Sequence, residues 1–493
     1  MTTRDALLLP DRSDWSLEIG RTRDDALRRI ARSIEDNEPA LSVRSPFVEG
    51  LHGEILDAPS LVIEDHSGIR LFEHSGDEAY SYRALLLAGD GDLVAIGDRS
   101  DAFETYCRDW LGLGCPTLLT PQAAAPDDSL AARCRLDAEF LEVVVDRAES
   151  CDGLNILPYM GTWSVWELAG AIAANCDAPL RVIAPPPELT RRVNDKIWFA
   201  RLAGSVCGQA AIPATREADN YSGLCRLAVD LASAHASIAV RLPGSASSAG
   251  NLVLDSVELR DQSWQALHER LQLRLVELGW DGSFPLQVVG WEQAVTCSPS
   301  VQMWIPGPAR GDEPLVEAIF DQHSSGLVRE FDGARPSRLD DDWQYRIAQQ
   351  AFEIGKVLQY LGYFGRCSLD AIMVDVGDED GQLRWVECNG RWGGVSLPLS
   401  LNRRLDRERV GSTPLVIFEQ AHQRHAPRAF APVLQALEPL LYRSGLRQHG
   451  AVLLSPGRLL DGSGYEFMVR AESIEDALQT GHGIEHLLGD DDH

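Results

Sequence analysis

Two short segments around residue 380 alternate apolar and polar side chains, and a polar connection containing glycine separates them. The segments are 368–374 (SLDAIMV) and 383–389 (LRWVECN), joined by residues 375–382. This alternation is typical of β-strands, and the short polar connection is typical of a hairpin. A turn centred between Asp378 and Glu379 places Asp370 opposite Glu387. The sequence therefore predicts an antiparallel hairpin with two facing carboxylates.

Asp370, Glu387 and Asn389 form an oxygen-rich set on this hairpin. Asn389 shares a face with Glu387 because side chains in a strand repeat every second residue. Facing carboxylates repel each other, and a divalent cation between them relieves the repulsion. Mg²⁺ takes carboxylate oxygens and completes its shell with water and phosphate oxygens. We therefore predict that these three residues hold Mg²⁺; the alternative is the exposed polar face of an ordinary hairpin.

The residues that follow favour the metal interpretation. Arg391 adds a fixed cation, and Gly393 and Gly394 come directly after it in the run ECNGRWGG. By strand parity Cys388 points away from the metal face, so we expect a packed thiol.

Composition limits the class of protein. A chain of 493 residues predicts three or four domains. The formal charge of −29 argues against nucleic-acid partners, which bind basic surfaces. We expect no membrane association, because no apolar run approaches the roughly 20 residues of a spanning helix and the first residues show no signal-peptide core. The ten cysteines lack paired short spacings, which favours a cytoplasmic location.

Lysine occurs only at positions 196 and 356. Lys196 follows Asn194 and Asp195, either of which could cap a helix that carries the lysine in its first turn. An ammonium there could bind an oxyanion such as a nucleotide phosphate; the alternative is a surface lysine. Lys356 lies in the helical pattern of residues 343–361, and we expect it on the solvated face.

A strand pattern at 238–243 carries Arg241, and a second strand pattern covers 252–259. Between them lie the small or polar residues Gly244, Ser245, Ser247, Ser248, Gly250 and Asn251. Such a loop lets backbone N–H groups approach a phosphate, although glycine–serine loops are more often ordinary turns. It matches neither a Walker loop nor a dinucleotide fingerprint.

Several further patterns complete the outline of the chain. Residues 93–97 and 101–113 read as a strand and a helix of an open α/β sheet. Residues 415–425 read as helical, and 451–454 and 465–469 as strands. Three arginines in LNRRLDRER could bind an anion, but a solvated helix end is the preferred interpretation; they are Arg403, Arg404 and Arg407. Alternating polar residues on a strand could face an acceptor pocket; they are Ser298, Ser300 and Gln302.

Four motifs follow one another over about residues 191–400: Asn-Asp-Lys, a basic strand residue before a small-residue loop, an Asp, and Glu-x-Asn-x-Arg. In this order they resemble the motifs of the ATP-grasp superfamily. Within it the chain is similar to peptide ligases of natural-product biosynthesis that carry a pre-ATP-grasp domain, of the pheganomycin-ligase type. The resemblance implies an α/β fold with two α+β lobes, preceded by an open-sheet domain. The implied domains are 1–85 (role unknown), 86–190 (pre-ATP-grasp, Rossmann-like), 191–287 (N-lobe), 288–405 (C-lobe with the metal site) and 406–493 (accessory).

The resemblance also implies roles for individual residues. Lys196 matches the first nucleotide lysine, and Arg241 stands where a second lysine is usual. Residues 244–251 match the loop that closes over the β- and γ-phosphates. The strand with Val288 and Val289 matches the one whose backbone binds adenine, and Glu292 the ribose or hinge carboxylate.

For the remaining motif, the resemblance makes Asp370, Glu387 and Asn389 the magnesium ligands, and Arg391 the residue that meets the transferring phosphoryl group. The implied activity is ATP- and Mg²⁺-dependent ligation of a small carboxylate to an amine through an acyl phosphate, in a possible homodimer. Two alternatives stay open: an ATP-grasp kinase or phosphotransferase, and an inactive nucleotide-binding regulator.

Overall fold

The computed structural model describes residues 15–41, 50–69, 78–122, 129–243, 250–307, 312–326, 329–377, 381–406, 413–420 and 426–489. Among these residues, no helix combines the length and apolar character that crossing a bilayer requires.

Five short strands near the N-terminus form a parallel sheet in the order β3-β2-β1-β4-β5. The strands are β1 (Ser60–Ile63), β2 (Leu93–Ala95), β3 (Thr117–Leu119), β4 (Leu154–Pro158) and β5 (Leu180–Val182). The helices of this region are α1 (Arg21–Asn37), α2 (Glu78–Ser81), α3 (Asp101–Thr105, continued by a π-helical turn at Tyr106–Trp110), α4 (Leu130–Leu136), α5 (Ala138–Ser150), α6 (Trp163–Ala173) and α7 (Pro187–Val193). Strands β1, β2 and β4 are buried along their whole length, as apolar runs in a parallel sheet covered on both faces require.

A four-stranded antiparallel sheet follows, in the order β6-β9-β7-β8. Its strands are β6 (Thr215–Ala218), β7 (Ser237–Arg241), β8 (Asn251–Asp255) and β9 (Leu286–Gly290), and the helices around it are α8 (Lys196–Cys207), α9 (Tyr221–Ala232), α10 (Ser256–Arg260) and α11 (Trp264–Glu277). The apolar faces of α9 and α11 form one core with this sheet. Strand β8 is shorter than the predicted 252–259, because the Asp255 carboxylate accepts hydrogen bonds from the N–H groups of Val257 and Glu258 and so caps α10.

The third sheet has nine strands, eight of them in the order β10-β14-β11-β12-β13-β16-β18-β17, and the ninth strand, β15, also pairs with β14. The strands are β10 (Val295–Cys297), β11 (Pro299–Ile305), β12 (Leu315–Ser325), β13 (Glu330–Pro336), β14 (Gly365–Val374), β15 (Gln382–Asn389), β16 (Leu415–Gln420), β17 (Gly450–Leu453) and β18 (Tyr465–Arg470). The helices are α12 (Asp341–Tyr360), α13 (Ser396–Leu405), α14 (Phe430–Leu437), α15 (Gly457–Asp461) and α16 (Ile474–Gly489). Region 406–493 thus continues the sheet of the preceding lobe.

The predicted hairpin is present. Strand β14 pairs antiparallel with β15, and Asp370 lies directly opposite Glu387. The pairing shifts by one residue immediately after Asp370. The predicted turn at residues 378 and 379 lies outside the described residues.

The helix predicted at 415–425 is wrong where the chain is described. Residues 415–420 form β16, which pairs with β18 on one side and with β13 on the other. The run Leu415–Phe418 is buried throughout. A continuous apolar run is typical of a strand that is covered on both faces. Residues 421–425 lie outside the described part.

Two predicted surface positions are buried. Lys356 is 5% exposed; its Nζ lies 2.6 Å from a carboxylate oxygen of Glu313 and 4.9 Å from the centre of the Tyr360 ring. The side chain of Arg404 is buried as well, whereas Arg403 forms an ion pair of 2.7 Å with the buried Glu317. Helix α13 therefore ends inside the protein rather than in solvent, and Arg407 lies outside the described residues.

We predict that Arg404→Met lowers the free energy of unfolding by about 2–4 kcal/mol. The Arg404 guanidinium donates hydrogen bonds to the backbone carbonyls of Leu86 (3.2 Å), Ala88 (2.6 Å) and Leu113 (2.6 Å), and methionine leaves all three acceptors without this donor. Chemical denaturation measures the change. Arg274→Met, at a solvent-exposed arginine, is the matched control and should leave stability nearly unchanged; equal effects in both variants would contradict the assignment.

Candidate functional site

Asp370 is held by hydrogen bonds from two neighbouring strands. The Ser300 hydroxyl on β11 donates to Asp370 Oδ1 over 2.6 Å, and the Asn389 amide on β15 donates to Asp370 Oδ2 over 2.8 Å. Gln302 in turn donates to the Ser300 hydroxyl over 2.9 Å. Asp370, Glu387 and Asn389 therefore come together as the sequence predicted.

The two facing carboxylates differ in their tendency to ionise. Burial, together with the neighbouring Glu387, raises the pKa of Asp370 to about 6. Burial also opposes ionisation of Glu387, but the cations of Lys196, Arg241 and Arg391 outweigh it and hold the pKa of Glu387 below its usual value. Glu387 therefore ionises more readily than Asp370.

Lys196 is buried beside Glu387. The Asp195 carboxylate caps α8 by accepting hydrogen bonds from the N–H groups of Ile197 (2.8 Å) and Trp198 (3.3 Å), which fixes the lysine at the first position of the helix. Its Nζ lies 3.5 Å from Glu387 Oε2, and the residue is only 3% exposed. Burial lowers the pKa of Lys196 to about 8, although Glu387 opposes the shift. The surface-lysine alternative is therefore wrong.

Arg241 lies on the central strand β7 of the four-stranded sheet, between Gln287 and Asn251 of the two flanking strands. Its guanidinium donates to Asn251 Oδ1 (3.3 Å), to Gln287 Oε1 (3.4 Å), to the Val386 carbonyl (3.3 Å) and to Glu387 Oε2 (3.1 Å). The arginine thus spans from one sheet to the other, and Glu387 forms ion pairs with both Lys196 and Arg241.

Arg391 is oriented by amide side chains. It donates to Asn389 Oδ1 and, over 3.4 Å, to Asn194 Oδ1, which also accepts a hydrogen bond from the Gly390 N–H over 3.1 Å. A Cβ atom at Gly390 would clash with a methyl group of Val193, so only glycine fits there. This close crossing of α7 and the motif positions Arg391. Asn194, considered only as a possible helix cap, is a site residue that sequence reasoning missed.

These residues line a cavity between the two antiparallel sheets, here called the interlobe cavity. Its lining includes Arg241, Asn251, Val289, Glu292, Ser298, Ser300, Gln302, Asp370, Glu387, Asn389 and Arg391. Val288 instead points into the core of the four-stranded sheet. The Glu292 carboxylate is paired with Arg384.

The predicted phosphate loop is only partly described. Gly244, Ser245, Ser247 and Ser248 lie outside the described residues. The Gly250 carbonyl accepts a hydrogen bond from the Leu242 N–H over 2.9 Å, and Asn251 contacts Arg241 as given above.

A second cavity, here called the side cavity, reaches the same motif from the first sheet. It shares Glu387, Asn389 and Arg391 with the interlobe cavity, and Lys196 also lines it. Its other walls are mainly apolar and include Ile69, Met160, Trp163 and Pro187. Two spaces therefore converge on one charged cluster.

The donor set fits a magnesium ion. Among the described residues, no group of three or more His, Cys, Asp or Glu side chains is placed to hold a metal. Two carboxylates and one amide are nevertheless a usual protein contribution for Mg²⁺, which keeps water and phosphate oxygens in its shell. Burial and the facing Glu387 carboxylate raise the pKa of Asp370, and a cation at this position would offset both effects. The ligand roles of Asp370, Glu387 and Asn389 stay a prediction.

One domain of the chain matches a known family. Residues 81–174 match the family model described as the pre-ATP-grasp domain, which lies almost wholly within the predicted domain 86–190. No curated protein sequence matches the chain.

Several solved structures resemble the chain over most of its length. An ADP complex of N5-carboxyaminoimidazole ribonucleotide synthetase has a TM-score of 0.52 and 12% identity, with 88% of this chain and 98% of that chain covered. The same enzyme from Thermus thermophilus gives 0.51 and 14%, covering 87% and 98%. The biotin carboxylase domain of the Hydrogenobacter thermophilus 2-oxoglutarate carboxylase, in complex with MgADP, ADP and bicarbonate, gives 0.52 and 12%, covering 87% and 90%.

The chain therefore has an ATP-grasp fold, with two lobes that enclose a charged cleft, and its residues 81–174 match the pre-ATP-grasp domain. This confirms the predicted fold class. The narrower likeness to peptide ligases of the pheganomycin-ligase type stays a prediction.

Proposed function

We propose that the protein is an ATP- and Mg²⁺-dependent carboxylate–amine ligase that forms a peptide or amide bond in specialised metabolism. The observation that carries this proposal is the buried cluster in which Lys196 and Arg241 meet Glu387, beside Asp370 and Arg391. Such preorganised charges suit the transfer of a phosphoryl group, where the protein contributes positioning and electrostatic stabilisation.

The proposed roles follow from position. Lys196 and Arg241 neutralise the phosphates of ATP, with Asn251 and Gln287 holding the Arg241 guanidinium in place. Arg391 faces the transferring phosphoryl group and the activated acid. Asp370, Glu387 and Asn389 would hold Mg²⁺, which would supply positive charge to neutralise phosphate oxygens. The strand 286–290, with Val289, and Glu292 form the nucleotide end of the interlobe cavity.

A carboxylate acylates poorly because its leaving group would be oxide. Transfer of the γ-phosphoryl group gives an acyl phosphate and ADP. The amine nitrogen, after losing a proton, attacks the acyl carbon, and the C–O bond breaks with its electron pair leaving on phosphate. Holding the reactants together supplies much of the acceleration, and the convergence of two cavities on Arg391 supports a site for more than one substrate.

The solved neighbours support the nucleotide assignment. One of them holds ADP, and another holds MgADP together with the carboxylate-like anion bicarbonate. Arg241 stands at a position where the resemblance leads us to expect a lysine. Its guanidinium nitrogen nevertheless lies 3.1 Å from Glu387 Oε2, inside the cluster. We therefore favour an active ligase over an inactive regulator.

Product analysis tests the proposal. Pairs of amino acids and small acids are screened for release of ADP and phosphate. A ligase releases both only when acid and amine are present together, whereas a kinase leaves phosphate on its acceptor. ATP-induced thermal stabilisation without turnover on any pair would instead favour the regulator.

We predict that Glu387→Gln lowers turnover by at least about 100-fold. The variant removes a proposed metal ligand, and it also removes the negative charge that lies beside the cations of Lys196 and Arg241. Steady-state ADP release measures the change, and circular dichroism checks the fold. Glu258→Gln, at an exposed glutamate paired with Arg270, is the matched control. Unchanged kcat in Glu387→Gln would remove this residue from the metal site.

We predict that Lys196→Ala raises the KM for ATP about tenfold or more, since a phosphate loses one buried cation. Lys356→Ala is the natural control: it removes the only other lysine, whose ion pair with Glu313 lies outside both cavities. An unaltered KM in Lys196→Ala would exclude the lysine from the nucleotide site.

A further inference from the structure

One wall of the interlobe cavity comes from the first and the last regions of the chain. His66 and Tyr159 follow β1 and β4, the neighbouring strands at which the order of the parallel sheet reverses. In open α/β sheets, ligands bind outside the carboxyl ends of the strands at such a reversal. Glu419 of β16 and Arg458 of α15 complete this wall. A typical ligand-binding position of the first sheet therefore opens into the cavity that contains Asp370.

Aromatic rings and guanidinium groups are stacked in this wall. The His66 ring lies between the rings of Tyr80 and Tyr159, with centroid distances of 4.9 and 4.0 Å. The guanidinium groups of Arg83 and Arg458 lie 4.9 and 5.0 Å from the centre of the Tyr80 ring. The wall is thus a packed array whose charges have defined positions.

The carboxylates of this wall outnumber the guanidinium groups that pair with them. Arg83 donates to Glu64 and Glu466, each over 2.8 Å, and Arg458 donates to Glu419 over 2.6 Å. Three carboxylates therefore share two guanidinium groups. Burial lowers the pKa of His66, with Glu64 opposing, so the imidazole adds no positive charge at neutral pH. Glu466 Oε2 is buried and accepts no hydrogen bond from the described residues.

Glu419 is the carboxylate of the three that lines the cavity. Its side chain is 13% exposed, whereas those of Glu64 and Glu466 are 4% and 1% exposed. Burial raises the pKa of Glu419, with the neighbouring Glu466 adding to the effect and Arg458 opposing it. A cation in the cavity would offset this unfavourable charge.

Gly394 lies close to Glu419. A Cβ atom at this position would lie 3.5 Å from Glu419 Oε2 and 3.3 Å from the Phe331 ring. Gly394 also lies three residues after Arg391, so the carboxylate borders the segment that carries the reaction-site arginine.

We propose that Glu419 binds the ammonium group of the amine substrate. The proposal rests on the ligase function above, since it gives the amine its place in the cavity. The ring of Phe331, which also lines the cavity, suits an ammonium ion, because aromatic faces attract cations. The substrate class is a primary amine, cationic at neutral pH, with an aromatic or apolar group that packs against these rings.

Binding of a matched pair of probes tests this assignment. Phenethylamine carries the ammonium group, and 2-phenylethanol is its uncharged counterpart. Calorimetric titration of the full chain should show that the amine binds about tenfold more tightly than the alcohol, as one favourable charge pair predicts. Glu419→Gln should abolish this preference, and Glu419→Asp should retain part of it. Glu475→Gln, at an exposed glutamate paired with Arg338, should behave as the unmodified protein.

Two outcomes would overturn the assignment: a folded Glu419→Gln variant that keeps the preference for the amine, or an unmodified protein that binds both probes equally. Neither measurement needs turnover. Absence of ADP release in the substrate screen would contradict the proposed ligase function. The titrations alone would contradict the assignment of Glu419.

Discussion

The ion cluster at Glu387 connects three parts of the chain. Lys196 begins a helix, Arg241 lies on the central strand of the four-stranded sheet, and Glu387 lies on the nine-stranded sheet. Removing such charges from water costs more than their mutual attraction usually returns, so a buried cluster of this kind is weak evidence of a stabilising role. Its value lies in preorganisation: two buried cations are already fixed beside the interlobe cavity, where the proposed nucleotide phosphates would bind.

The sequence predicted those parts of the site that depend on short-range geometry. The facing of Asp370 and Glu387 follows from strand alternation and a short connection. The sequence also limits the helix cap before Lys196 to Asn194 or Asp195, and Asp195 is the cap. Ser300 and Gln302 were placed on the cavity side by the same alternation. In each case the relevant partners lie on one element or on paired strands of regular geometry.

The parts that the sequence did not predict depend on contacts between distant segments. Lys356 and Arg404 carry charges typical of a surface, yet each finds partners on segments far along the chain. The run 415–420 is too short for periodicity to separate a buried strand from a helix, and its pairing with β13 and β18 decided the outcome. Glu419 lies on this strand and lines the interlobe cavity, a position that no local pattern could have indicated.

The shared wall of the interlobe cavity has a consequence for biosynthesis of the chain. His66 and Tyr159 emerge from the ribosome early, whereas Glu419 and Arg458 emerge near the end. The parallel sheet can assemble while translation continues, but the pocket stays open on one side until β16 and β18 join the growing sheet. A nascent or prematurely terminated polypeptide therefore carries the motif of residues 387–394 without the cavity wall that Glu419 and Arg458 complete.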